Sequence, residues 1–75
     1  MELESNQIAY LLYLNRADEK ARSVTNMAKE FEVAKSTMSR HLAVLKQMDI
    51  IKDEGKLTLT DHGRELAKRY EEEIV

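Results

Sequence analysis

Cysteine and proline are absent from this chain, and glycine occurs only twice. Without cysteine there is no disulfide framework, no thiol nucleophile and no cysteine metal site. Two isolated glycines cannot build a Gly-rich phosphate loop. The longest apolar run, Ile8 to Leu14, falls far short of the roughly 20 residues that a membrane span needs, so no membrane partner is expected. The first residues, Met1-Glu2-Leu3-Glu4, are acidic where a secretion signal would be basic. No nucleophile–base pair, carboxylate dyad or cofactor loop is visible, so neither an enzyme nor a bound cofactor is expected. What remains is a soluble, cytoplasmic, mostly helical domain.

The chain has 75 residues, 43% of them hydrophobic, which is enough for one small core. Its formal net charge of −2 hides an uneven distribution. Between residues 20 and 46 stand Lys20, Arg22, Lys29, Lys35, Arg40 and Lys46, opposed only by Glu30 and Glu32. Acidic residues prevail on both sides. The basic middle suits a polyanion even though the whole chain is slightly acidic. An unevenly charged, solvated surface would give the same count.

The apolar pattern sets the order of elements. Ile8, Tyr10, Leu11, Leu12, Tyr13 and Leu14 predict a helix from Asn6 to about Arg16, closed by a polar loop at Asp18-Glu19-Lys20. Thr25 is the expected N-cap of a short second helix, with Val24, Ala28 and Phe31 on one face. After Glu32-Val33-Ala34, a third helix opens at Lys35 or Ser36 and reaches Met48. Met38, Leu42, Leu45 and Met48 form its buried stripe. The period then changes to two, with Ile50 and Ile51, a turn at Asp53-Glu54-Gly55 and the alternating Lys56–Thr60. A hairpin fits, with Gly55 taking the positive φ of the turn. Thr60 then caps a last helix through Leu66, Ala67, Tyr70 and Ile74. Gly63 inside that helix costs about 1 kcal/mol against alanine, which calls for a close backbone approach. The expected fold is mainly α with a small β-hairpin: a winged helix-turn-helix in one domain over 1–75. The helix-turn-helix spans about 24–48, the wing about 50–60 and the C-terminal helix about 61–75.

This arrangement suits duplex DNA, whose major groove of about 12 Å admits one helix. With Met38, Leu42 and Leu45 inward, the third helix turns Lys35, Ser36, Thr37, Ser39 and Arg40 outward. Hydroxyls donate to phosphates or base edges, and arginine forks onto guanine. The helix N-terminus adds backbone N–H groups for a phosphate. Thr25 at the start of the second helix, and Lys52 and Lys56 on the wing, are the expected flanking contacts.

The run from Thr25 to Leu42 is similar to a family pattern in which a short Ala-containing helix leads into "L-x-V-s-x-S-T-V-S". Leu45 to Ile51 resembles "L-x-x-x-G-L-I", with Asp49 where glycine is common. Leu59 to Ala67 resembles "L-T-x-x-G-r-x-l-A". Across residues 6 to 70 the chain resembles most the DNA-binding domain of metal-dependent repressors of the diphtheria-toxin-repressor type. The multiple-antibiotic-resistance regulators come next. The very short wing favours the first group. The resemblance implies a prokaryotic transcription regulator. It does not extend to metal: the positions that hold ligands in that family carry Asn6, Ala9 and Ile74 here, which are poor ligands for a divalent ion. The chain is then either an isolated DNA-binding segment or a small regulator that does not sense metal.

The expected partners are double-stranded DNA and a second copy of the chain, since two-fold operators are read by paired helices. Ile8, Leu11, Leu12, Tyr70 and Ile74 are the expected dimer surface. His41 is expected in a structural or phosphate-binding role, and His62 is expected to be exposed. The three tyrosines and Met27, Met38 and Met48 are expected in the core or at the dimer contact. The alternative function is a winged-helix module that binds another protein.

Overall fold

Four helices and one hairpin follow one another in a computed structural model that describes residues 3–74, with side chains to residue 73. Helix α1 is Ser5–Arg16, α2 is Val24–Glu30, α3 is Lys35–Gln47 and α4 is Asp61–Ile74. Strands β1 (Ile51–Asp53) and β2 (Leu57–Leu59) lie between α3 and α4. The mainly helical fold with a small wing is the one expected. The last helix is seen to Ile74; the side chain of Ile74, and Val75, lie outside the described residues.

Each element begins and ends for a local reason. The Glu4 backbone N–H donates to Gln7 Oε1 at 2.8 Å, closing the start of α1. The loop after α1 coils into a 3₁₀ turn, Glu19–Ala21, in which Asp18 Oδ1 accepts from the Ala21 N–H at 3.1 Å. Helix α2 starts two residues earlier than a cap at Thr25 would allow. Its N-cap is Ser23, whose Oγ accepts from the Asn26 N–H at 3.1 Å. The physical reason is Val24, which packs against the core from the first helical position. Thr25 therefore sits in the first turn, exposed.

Helices α2 and α3 both end on a residue with positive φ. In the helix-turn-helix connection Glu32 has φ 55°. The Val33 N–H reaches back to the Ala28 carbonyl at 3.0 Å and the Glu32 N–H to the Lys29 carbonyl at 3.3 Å. After α3, Asp49 has φ 59°, with Ile50 N–H on the Leu45 carbonyl at 3.0 Å and Asp49 N–H on the Lys46 carbonyl at 3.0 Å. Both are Schellman closures, which glycine usually makes.

The hairpin is antiparallel, pairing Ile51 with Leu59, Lys52 with Thr58 and Asp53 with Leu57. Gly55 has φ 87°, as its turn requires. Ile51, Leu57 and Leu59 point into the core. Thr60 Oγ1 accepts from the Gly63 N–H at 3.0 Å and caps α4. Gly63 is placed by contact: a Cβ there would meet the carbonyl carbon of Ile50 at 3.1 Å and overlap its oxygen.

Leu11, Leu14, Met27, Met38, Leu42, Leu45, Ile50 and Leu57 are the largest fully buried side chains. Leu11 is thus a core residue and cannot belong to a dimer surface, because its side chain points between α1 and the rest of the fold. Met48 is half-buried. Tyr10 and Tyr13 pack edge-to-face on Phe31 with ring centres 4.8 and 5.6 Å apart, which locks α1 against the end of α2.

Candidate nucleic-acid interface

Helix α3 presents two faces. Met38, Leu42 and Leu45 are buried on one side. On the other, Lys35, Ser36, Ser39 and Arg40 are exposed, while Thr37 is half-buried and the least open of the five expected contacts. Four of those five residues are therefore brought to one accessible surface. No side chain caps the helix at Ala34, so the first-turn N–H groups remain directed outward from its N-terminus.

The outward stripe continues beyond Arg40. Ser36, Arg40, Ala43 and Gln47 are spaced four, three and four apart, the period of one helical face, and all are exposed. Val44 stands beside them at 44% exposure, the exposed large hydrophobic residue of the described chain. Sequence reasoning followed this face as far as Ala43 and passed over Gln47 and Val44. The signal was present: adding seven to Arg40 gives Gln47, and adding four gives Val44.

Charge divides the surface further. Among the described residues, Lys35 and Arg40 take part in none of the ion pairs. The wing lysines differ. Lys52 pairs with Glu54 at 3.2 Å and Lys56 with Glu19 at 2.8 Å. Lys46, at the end of α3, lies 3.6 Å from Asp53 on β1. Lys52 and Lys56 are accessible, yet the free wing charge expected of them is compensated by neighbouring acids. The hydrogen bond from Lys56, and then its charge, hold the Glu19 carboxyl below its ordinary pKa. A backbone bond from Leu57 N–H to the Arg22 carbonyl at 3.0 Å adds to this tie, so the wing is strapped to the loop after α1.

His41 lies at the edge of α3 nearest α1. Its Nδ1 is 2.8 Å from the Tyr10 hydroxyl, and the two rings stack with centres 5.7 Å apart. Tyr13 donates to the Ala21 carbonyl at 3.1 Å. Burial first, then the Glu30 and Asp18 charges, raise the Tyr13 pKa. Tyr10 and Tyr13 thus serve the fold. His62 is exposed, as expected. Among the described residues no group of three or more His, Asp and Glu side chains converges, and no helix is long and apolar enough to cross a membrane.

A short helix, a tight turn, a helix with a polar outer face and a two-stranded wing define the winged helix-turn-helix class of DNA-binding regulators. A family profile described as "Bacterial regulatory protein, arsR family" matches residues 4–53, from the start of α1 through β1. The chain belongs to that family and is a DNA-binding transcription regulator. The match supports the winged helix-turn-helix assignment without confirming the diphtheria-toxin-repressor or multiple-antibiotic-resistance type. No curated protein and no solved structure matches the chain.

Proposed function

We propose that the protein is a sequence-specific reader of double-stranded DNA that acts as a homodimeric repressor, with α3 in the major groove. The observation that carries this reading is the outer face of α3: Lys35 and Arg40 unpaired among the described residues, beside the exposed Ser36, Ser39 and Gln47. Arg40 is suited to guanine and Gln47 to adenine. Lys35, Ser36 and the α3 N-terminus are suited to phosphate. Thr25 in the first turn of α2 and Thr37 flank that contact. Lys52 and Lys56 reach phosphate only by giving up Glu54 and Glu19.

For the dimer, the outer flank of α1 offers half-buried Ile8 and Leu12, and α4 offers half-buried Tyr70. A shallow hollow of about 430 Å³ lined by Ala9, Leu12, Tyr13, Arg16, Ala17 and Ala21 gives that flank an apolar recess. Two copies joined there would set two α3 helices on half-sites about 34 Å apart. The residues at the metal positions of the diphtheria-toxin-repressor type favour a regulator that works without a resident ion.

Selection of bound duplexes from a random pool, followed by salt titration, tests the reading. A two-fold consensus and a log-linear fall of affinity with salt support it. Recovery of no consensus, with binding indifferent to salt, would overturn it.

A further inference from the structure

An apolar side chain on a polar reading face needs a reason. Val44 is exposed among Arg40, Ala43 and Gln47, while the other large hydrophobic residues of the described chain are buried or packed against the core. Among the described residues, Val44 is not one of the hydrophobic side chains packed against the core. Ser36 and Ala43 on the same stripe are small, so the backbone of α3 can come close to whatever that face meets. The major groove offers one apolar group on its base edges, the 5-methyl of thymine.

We propose that Val44 reads a thymine methyl group between the bases contacted by Arg40 and Gln47, each of which stands one helical turn from it on α3. This rests on the reading of α3 as the helix that enters the groove, and it names a specificity-determining contact within that site. Valine is suited to the task because its branched side chain is short and holds one preferred rotamer in a helix. It meets the methyl without losing the rotamer freedom that a longer side chain would. Cytosine at the same step would present an amino group to Val44 and leave it without an acceptor.

The test uses the full chain and its selected duplex. Each thymine is replaced in turn by uracil, which removes the 5-methyl and leaves base pairing intact. For the wild type, one thymine per half-site should weaken binding about fourfold on replacement, the value of one buried methyl group. Val44→Ala should bind the thymine and uracil duplexes alike. Val44→Thr, which keeps one methyl, should retain part of the preference. Circular dichroism establishes that both variants are folded. If the wild type binds its selected duplex and no uracil replacement weakens it, the thymine contact is wrong while the reading of α3 stands. If Val44→Ala keeps the full methyl preference, another residue makes the contact and the assignment fails. If no duplex is selected at all, the reading of α3 fails and takes this contact with it.

Discussion

The Tyr10 hydroxyl lies 2.8 Å from Nδ1 of His41, and the two rings stack, so α1 holds α3 by a polar contact as well as by packing. Tyr10 is 3% exposed. When that hydroxyl donates, His41 Nδ1 is the acceptor and the neutral ring carries its proton on Nε2. Tyr10→Phe removes the bond and leaves the ring stacking. The expected loss is about 1 kcal/mol, seen as a fall in Tm of about 4–8 °C for a chain of this size. An unchanged Tm would show that the contact adds nothing to stability.

Gly63 is fixed by the Ile50 carbonyl. A methyl group there forces α4 away from the α3–β1 junction, against backbone that has no rotamer to yield. Gly63→Ala should cost about 2–3 kcal/mol by urea unfolding, where an open helical site would gain stability from the same change.

Glu32 and Asp49 occupy left-handed backbone at the ends of α2 and α3. Glu32→Gly and Asp49→Gly should each stabilise the fold by about 0.5 kcal/mol, the relief of strain being partly offset by a freer unfolded chain. Gly55→Ala, at φ 87° with open space around it, should lower stability through backbone conformation alone. Equal Tm values across this set would contradict the strain.

The tie between Lys56 and Glu19 has a pH signature. The folded-state pKa of Glu19 lies below its ordinary 4.5. The stabilisation is therefore present above the unfolded value and is lost as pH falls through the folded one. Asp61, held by the Arg64 hydrogen bond and charge, follows the same sign below its ordinary 3.8. In a carboxyl titration by NMR, Glu19 should have its midpoint below 4.5 in the wild type and return toward that value in Lys56→Gln. Equal midpoints would show that the strap does not persist in solution.

Much of this molecule was legible as periodicity. Met38, Leu42 and Leu45 declared the buried side of α3 by spacing alone, and Gly63 announced a close approach because a helix interior otherwise avoids glycine. Gly55 and Thr60 were equally readable, since each residue type is suited to the role it takes. What escaped were features that depend on competition or on distance. Ser23 and Thr25 are both good caps, and the choice fell to Ser23 because Val24 packs against the core. Glu32 and Asp49 do not look like left-handed residues. The partner of Lys56 comes from the far side of the chain, so its pairing could not be seen locally. The same limit applies to the surface: free and compensated cations look identical in a sequence, and only the fold separates Arg40 from Lys56.

Arg40→Ala, measured by fluorescence anisotropy on the selected duplex and on a scrambled one across a salt series, goes to the centre of the matter. The expected result is a loss of about 1–3 kcal/mol on the selected duplex, a much smaller loss on the scrambled one, and relaxed preference at a single base position. An equal loss on both duplexes would show that Arg40 only neutralises phosphate and is not a base reader, which contradicts the role proposed for it.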